Sequence, residues 1–267
     1  MTYNYLSNFV NKIQSGSRYF FTREEIVKHH PGSENAVKLA LNRLSRKKRI
    51  VSVHKGFYII IPPEYAASKI LPPSLFIDDL MNYVGKKYYL GLLSAAAIHG
   101  AAHQQPQEYH IIIPSPKHSI TTSGIKIKFF VKKGDWKNYT IVKHKTDAGY
   151  IRVSTPELTA LDLIAYEKSI GGLNRVATVL HELADQMEPD TLLRVARKSC
   201  NISYIQRLGY LLEKILSRQK LVIPMKKWLQ KQQLFRIPLK SGISTKGIPT
   251  DADWKVVINT NVESDFD

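Results

Sequence analysis

The sequence predicts an α+β protein, because its N-terminal part and the remainder follow different patterns. The first 61 residues contain three helical stretches followed by two β-rich runs, whereas the chain from residue 88 onward mixes short strands with several helices. A chain of 267 residues is also longer than one small core usually needs. We predict a small N-terminal domain over residues 1–63, a connector helix over 64–87, and a larger mixed α/β domain over 88–267.

The first two helices are predicted from apolar spacing and capping residues. An apolar stripe at helical spacing predicts a helix over residues 3–15. The next helix opens at Thr22, and Glu25 three residues later completes the pattern of a capping box. The sequence His30-Pro31-Gly32 then closes this second helix.

The third helix begins after Ser33, a residue suited to the N-cap, and runs to about Lys48. Its apolar residues recur at helical spacing, so we expect one face to be buried: Val37, Ala40, Leu41 and Leu44. Two β-rich runs within residues 50–61 flank a turn that ends in Gly56, which predicts a hairpin. Three helices followed by a hairpin form the layout of a winged helix-turn-helix, whose third helix enters the major groove of DNA.

The distribution of charge favours a polyanionic partner. The chain carries 39 Lys and Arg against 22 Asp and Glu, a net charge of +17, and residues 1–61 alone carry +8. Such a surplus attracts nucleic acid first and an anionic membrane surface second. A solvated basic helix end would explain about two or three of these charges, but not the whole run or the hairpin after it.

The face opposite the apolar stripe carries side chains that suit DNA. We predict that Asn42 and Lys38 contact base edges, that the run from Arg46 to Arg49 holds phosphates, and that Lys55 at the hairpin tip contacts a phosphate or the minor groove. Residues near helix starts complete the set, since backbone N–H groups there face anions. The predicted DNA-binding residues are Thr22, Arg23, Ser33, Asn35, Lys38, Asn42, Arg43, Arg46, Lys47, Arg49 and Lys55.

No metal or cofactor site is predicted. Four histidines cluster in the sequence, but they lack the fixed spacing of metal ligands, so roles in structure or in polar networks are favoured: His99, His103, His110 and His118. The pair Gly171-Gly172 has no Lys-Ser or Lys-Thr after it, and therefore indicates a turn or a helix start rather than a phosphate loop.

No catalytic residue is predicted either. Glu157 and Asp162 are close in sequence, but a capping Glu and a buried, hydrogen-bonded Asp explain them better than an acid/base pair. The single cysteine, Cys200, excludes an internal disulfide and indicates an inert thiol in a reducing compartment. With no leader and no run near the roughly 18 apolar residues of a membrane span, the protein is expected to be cytoplasmic.

Several sequence blocks, taken in order, resemble the AbiEi family of antitoxins from type IV toxin–antitoxin systems, which act in abortive infection and phage defence. The blocks are Tyr88-Tyr-Leu-Gly-Leu-Leu-Ser-Ala-Ala-Ala-Ile-His-Gly100 with His103-Gln104 and Pro106-Gln107, then Arg152-Val-Ser-Thr-Pro-Glu157 with Thr159 and Leu161-Asp-Leu163, Gly171-Gly172, Arg207-Leu-Gly-Tyr-Leu-Leu-Glu213 and Trp254-Lys-Val-Val-Ile-Asn259. The lysine-rich third helix departs from what we expect of the family.

The resemblance implies a function for each part of the chain. The N-terminal domain would bind inverted repeats in the promoter of its own operon and repress transcription. The C-terminal domain would carry antitoxicity and assist DNA binding. The functional partner would be a nucleotidyltransferase-like toxin, which type IV antitoxins neutralise without an obligatory stable complex.

Two alternatives stay open on the sequence alone. One is a nuclease that uses Asp162, although the predicted C-terminal strands lack an acid-x-acid-x-Lys pattern. The other is a module that binds a toxin without recognising DNA. A basic C-terminal stretch fits a phosphate-tracking face, a toxin-facing surface or a plain solvated face: Arg218, Lys220, Lys226, Lys227, Lys231, Arg236 and Lys240.

Two elements near the C-terminus are also predicted. Residues 225–235 are expected to form a helix, and residues 254–259 a strand. Earlier in the domain, residues 109–113 and 125–131 are predicted as strands, the second because its apolar residues alternate with lysines.

Overall fold

The computed structural model describes residues 2–29, 32–65, 70–101, 106–134, 136, 140–199 and 201–263. It divides into two compact units, of which the first comprises Met1–Tyr89, Gln107–Lys133 and Lys143–Arg152 and the second comprises Leu90–Pro106, Gly134–Val142 and Val153–Asp267. Both units combine helices with strands, so the α+β class is confirmed in this general sense. The boundaries predicted at residues 63 and 87 divide the chain differently and stay a prediction.

The N-terminal elements form a three-helix arrangement with a small antiparallel sheet. In chain order they are α1 (Thr2–Ser15), β1 (Phe20–Thr22), α2 (Arg23–His29), α3 (Glu34–Arg46), β2 (Ile50–His54) and β3 (Phe57–Ile60). The strand order is β1-β3-β2. The three helices and the hairpin are confirmed, although α3 ends slightly earlier than expected and residues 30 and 31 lie outside the described part of the chain. The strand β1 has no counterpart in the prediction.

One apolar cluster holds these elements together. Leu6 and Val10 of α1, Phe21 of β1 and Ile26 of α2 are all fully buried with the apolar face of α3. Removing such side chains from water is the main favourable term in folding a unit of this size. The core therefore fixes which face of α3 points outward.

A second sheet has six strands. The strands are β4 (Tyr89–Leu90), β5 (Tyr109–Ile113), β6 (Ile120–Thr122), β7 (Ile125–Val131), β8 (Ile141–Thr146) and β9 (Gly149–Ser154), in the order β6-β7-β5-β4-β9-β8. The predicted strands β5 and β7 are confirmed, and they pair in parallel. Before this sheet, α4 (Ile77–Tyr83) lies in the segment predicted as a connector helix.

The second unit is mainly helical. Its helices are α5 (Leu92–Ile98), α6 (Pro156–Ala165), α7 (Gly172–Leu183), α8 (Pro189–Ser199), α9 (Ile202–Tyr210) and α10 (Gln219–Leu229), and a π-helical segment, Leu211–Ile215, follows α9. Eight of the ten residues of α6 are buried, so α6 is the central helix of this unit. Within the described residues, no helix is long and apolar enough to cross a membrane.

Two predictions near the C-terminus need correction. The helix expected over 225–235 begins earlier, at Gln219, passes through Pro224 and ends at Leu229. The strand expected over 254–259 is reduced to β11 (Val256–Val257), which pairs in parallel with β10 (Ile237–Pro238). The pattern misled in both places because a proline is normally disfavoured inside a helix and because a buried apolar run need not be a strand.

Candidate nucleic-acid interface

The helix α3 is fixed at its N-terminus by Ser33. The Ser33 hydroxyl accepts a hydrogen bond from the backbone N–H of Ala36 at 3.3 Å, as an N-cap residue should. Four residues of α3 are buried, which confirms the predicted apolar face: Val37, Ala40, Leu41 and Leu44. The start and the rotation of α3 are therefore both set by residues that the sequence pattern identifies.

The opposite face of α3 is open and mostly polar. The predicted contact residues Asn35, Lys38, Asn42, Arg43 and Arg46 are all exposed there. Amide and cationic side chains of this kind can donate to base edges and phosphates. One exposed residue of this face was not predicted as part of it: Leu39, which is 59% exposed.

The start of α2 is closed by a reciprocal capping box. The Thr22 hydroxyl accepts from the backbone N–H of Glu25 at 3.2 Å, and the Glu25 carboxylate accepts from the backbone N–H of Thr22 at 2.7 Å. Arg18 forms an ion pair with the same carboxylate at 2.7 Å. The predicted box is confirmed, and the Thr22 N–H and hydroxyl already have partners within the protein.

Arg23 is tied to its neighbours at both ends. Its backbone N–H donates to the carbonyl oxygen of Gly56 at 2.8 Å, and its guanidinium donates to the Glu34 carboxylate at 3.0 Å. Both side chains of this ion pair are well exposed, so we expect the pair to be weak and replaceable. The guanidinium of Arg23 therefore lies at the start of α3 but can exchange Glu34 for another anion.

The basic turn after α3 lines an open cleft. Arg46 and Lys47 are exposed, whereas the half-buried Arg49 donates through its guanidinium to the Asn11 side chain of α1 at 2.8 Å. The cleft has a volume of about 750 Å³ and is lined by Asn11, Gln14, Ser15, Lys47, Lys48, Arg49, Ile61 and Pro63. The structure thus brings Lys47 and Arg49 of the predicted set together, with Arg49 fixed in orientation.

The hairpin tip carries the exposed Lys55 and is held by α4. The Tyr83 hydroxyl donates to the Lys55 carbonyl oxygen at 3.3 Å, and the Tyr83 ring lies 5.4 Å from that of Phe57. Gly56 has φ +78, and a Cβ at this position would lie 2.5 Å from the Tyr83 hydroxyl oxygen. Sequence analysis did not identify Tyr83, since no local pattern relates it to a turn 28 residues earlier.

The histidines have separate environments where the structure describes them. His99 lies with its Nε2 2.7 Å from the carbonyl oxygen of Ser154, and His118 is exposed. His110 is buried, and this burial lowers its pKa to about 4. His103 lies outside the described residues. Across the part of the chain that is described, no group of three or more His, Cys, Asp or Glu residues is placed to hold a metal ion.

Glu157 and Asp162 are both buried on α6. The Glu157 carboxylate accepts a hydrogen bond from the backbone N–H of Glu188 at 2.9 Å, so it binds the chain just before α8 rather than the start of its own helix. This contact gives Glu157 a structural role, since it joins α6 to the start of α8. Gly171 and Gly172 have φ values of +110 and +83 at the start of α7, as expected for a turn that leads into a helix.

Parts of the basic C-terminal stretch also have partners within the protein. Lys226 contacts the carboxylates of Glu213 and Asp253, in each case at 2.8 Å. Arg218 pairs with Asp185 at 2.9 Å, and the Arg236 guanidinium donates to the Thr250 hydroxyl at 2.9 Å. These three cations have partners within the protein, and the other four members of the stretch are exposed to solvent: Lys220, Lys227, Lys231 and Lys240.

The fold and the site together describe a class of protein: an α+β protein with a basic, outward-facing helix near its N-terminus. Residues 89–214 match the family model described as the AbiEi antitoxin C-terminal domain. Residues 89–214 are therefore similar to this antitoxin domain, and the resemblance found in the sequence is confirmed there. This match supports an antitoxin role and, with it, a toxin as partner in general.

The fold is similar to that of a solved structure. The crystal structure of the RV2827C protein from Mycobacterium tuberculosis superposes with a TM-score of 0.69 over 95% of this chain and 91% of that one, at 16% sequence identity. An antigenic nucleotidyltransferase-like protein from Paracoccidioides brasiliensis gives a TM-score of only 0.36 over 60% of this chain and 91% of that one, at 8% identity. A comparison with curated proteins gives no match.

Proposed function

We propose that this protein is a DNA-binding transcriptional autorepressor and antitoxin of a type IV toxin–antitoxin system, which acts in the cytoplasm in defence against phage. The antitoxin role is supported by the domain match over residues 89–214. DNA binding is supported chiefly by one observation, the exposed polar and basic face of α3.

The N-terminal elements suit a winged helix-turn-helix. In this proposal, residues 1–63 form the DNA-binding domain, α3 enters the major groove and the β2–β3 hairpin is the wing. The order of the elements and the three-stranded sheet β1-β3-β2 agree with this arrangement. Residues 64–87 then act as the connector, and residues 88–267 as the antitoxin domain.

Each predicted contact residue has a role within this interface. Lys38 and Asn42 face the base edges, Asn35 lies near the start of α3, and the cations beyond them on α3 and its following turn hold phosphates. Lys55 reaches the backbone or the minor groove from the wing. Thr22, Arg23 and Ser33 act at the starts of α2 and α3, where the capping contacts hold the backbone in place. The phosphate-holding set is Arg43, Arg46, Lys47 and Arg49.

The DNA partner is the promoter of the operon that encodes the protein, bound at inverted repeats by two copies. The functional partner is a nucleotidyltransferase-like toxin, neutralised without an obligatory stable complex. Neither activity calls for a cofactor.

DNA binding is tested by retardation of promoter DNA with the full chain over a range of salt concentrations. With about six to ten phosphate contacts, affinity should fall by about three to five orders of magnitude between about 50 and 200 mM salt. Arg46→Ala with Lys47→Ala should weaken binding to all DNA similarly, whereas Asn42→Ala should reduce the preference for the promoter. Lys168→Ala, an exposed lysine of the second unit, is the control and should bind like the wild type. Promoter DNA that is not retarded even at low salt rules out autorepression.

The antitoxin role is tested with the neighbouring gene product. Growth arrest by that product, relieved when this protein is supplied in the same cells, is the expected result. A neighbouring product that is harmless, or toxicity that persists at equal protein levels, contradicts the role.

A further inference from the structure

Leu39 is an apolar residue on an otherwise polar helix face. It is 59% exposed in a helix whose other leucines, Leu41 and Leu44, are buried. Within the described part of residues 1–61, the other large apolar side chain with substantial exposure is Val27 of α2, at 39%. The apolar surface on α3 is therefore small and confined to one position.

The position of Leu39 places it among the exposed polar residues of α3. In an α-helix, residues three and four apart lie on the same face, so Leu39 neighbours Asn35 on one side and Asn42 on the other. Arg46, two turns further along, continues this stripe. Because the buried residues of α3 lie on the opposite side, Leu39 is near the centre of the outward face.

The major groove offers few apolar groups for such a side chain. Base edges there present hydrogen-bond donors and acceptors, and the 5-methyl group of thymine is the apolar feature that distinguishes a T·A pair from the others. Leucine has no polar atom to pair with a donor or acceptor. A leucine pressed against a purine edge would leave polar groups without partners, and this is unfavourable.

We propose that Leu39 reads thymine in the operator by packing against the 5-methyl group in the major groove. This inference rests on the proposed DNA-binding function. It adds an apolar specificity determinant to the hydrogen-bonding side chains of α3. Lys38 and Asn42 recognise hydrogen-bonding edges, and Leu39 beside them recognises a methyl group. The operator half-site therefore contains at least one thymine opposite the middle of α3.

The test uses the full chain and DNA in which one methyl group at a time is removed. The wild-type protein first selects its preferred duplex from a random pool at low salt. Each thymidine of that duplex is then replaced singly by deoxyuridine, which keeps the base pair and removes only the 5-methyl group. At one or two positions in each half-site, wild-type affinity should fall about fourfold, which corresponds to about 0.8 kcal/mol for one buried methyl-sized group.

Three variants assign this loss to Leu39. Leu39→Ala should bind the thymine duplex less tightly than the wild type does. It should bind the thymine and deoxyuridine duplexes with equal affinity, so that removal of the methyl group has no effect. Leu39→Met keeps an apolar side chain and should keep the sensitivity. Ile223→Ala removes an exposed apolar side chain on α10 and should behave like the wild type. Alanine favours helix and Leu39 is exposed, so α3 should stay folded in the alanine variant.

The outcomes separate this inference from the function on which it rests. Wild-type protein that selects a sequence but is indifferent to deoxyuridine at every position overturns the role of Leu39 and leaves sequence-specific DNA binding intact. The same holds if Leu39→Ala is as sensitive as the wild type. If the wild type selects no sequence at all, the proposed repressor function fails, and the inference fails with it.

Discussion

Asp79 is a residue whose charge works against the folded state. It lies in the first turn of α4, where burial and the neighbouring Asp78 raise its pKa to about 6, with a smaller opposing effect from Arg18. A raised carboxyl pKa means that the folded protein binds the proton more tightly than the unfolded chain. The contribution of protonated Asp79 to the free energy of unfolding is therefore complete below about pH 4, and it is lost as the pH rises towards 6.

Replacing Asp79 by Asn should stabilise the protein at neutral pH. The expected gain in the free energy of unfolding at pH 7 is about 1 kcal/mol. This is less than the whole pKa shift would correspond to, because solvent screens the charge of this partly exposed group. Urea unfolding at pH 7 and pH 4 measures the effect, which should be much smaller at the lower pH. Asp147→Asn, at an exposed site, is the control. An equal gain at both pH values would show that the charge of Asp79 is not the cause.

At the scale of elements, the sequence identified those whose residues interact within one turn or one strand. The capping box at Thr22, the N-cap at Ser33 and the buried stripe of α3 are local patterns, and all are present. The strand β1 has three residues, too few to show alternation, and it forms because β3 pairs with it. Its existence depends on a tertiary contact that no local pattern contains.

In the candidate interface, too, local sequence patterns predict some features and miss those that depend on the folded structure. The polar residues of α3 were predictable from the position of its apolar stripe, since the two faces of a helix are complementary. The same reasoning leaves Leu39 off the buried stripe, but an apolar residue did not suggest a contact residue, and only the structure shows how exposed it is. The support of the hairpin turn by Tyr83 also requires the fold, because these residues are distant in sequence.

The packing of α9 against Trp254 predicts that a glycine in this helix stabilises the protein, whereas helix propensity alone would favour alanine. Gly209 lies inside α9, and a Cβ there would overlap the ring of the fully buried Trp254. The same indole donates through Nε1 to the Glu213 carboxylate, so it cannot move freely. The close approach of this ring is what requires a glycine in the helix.

Gly209→Ala should therefore destabilise the protein, although Gly→Ala inside an open helix normally stabilises it. We expect a loss of about 1–3 kcal/mol in the free energy of unfolding, typical of overpacking a filled core. Urea unfolding followed by tryptophan fluorescence measures the change. Ser203→Ala on the same helix is the matched control and should have little effect. A stabilised Gly209→Ala variant would mean that the Trp254 ring can shift to make room for the added methyl group.

At the scale of the whole molecule, charge is concentrated where DNA binding is proposed. Residues 1–61 carry +8 of the net +17 in under a quarter of the chain. The match to the antitoxin domain covers residues 89–214, a separate stretch of sequence. If repression depends on the first stretch and neutralisation on the second, the two activities should be separable by substitution.

The variant with both Arg46→Ala and Lys47→Ala tests this separation. Both side chains are exposed, so their removal should lower affinity for DNA without disturbing either core. Expressed from an unrelated promoter beside the toxin, the variant should restore growth as well as the wild type does, whereas a reporter driven by the protein's own promoter should be derepressed. Lys168→Ala should retain both activities. A variant that fails to restore growth at equal protein level would show that Arg46 and Lys47 also serve neutralisation. Repression and neutralisation would then not depend on separate stretches of the chain.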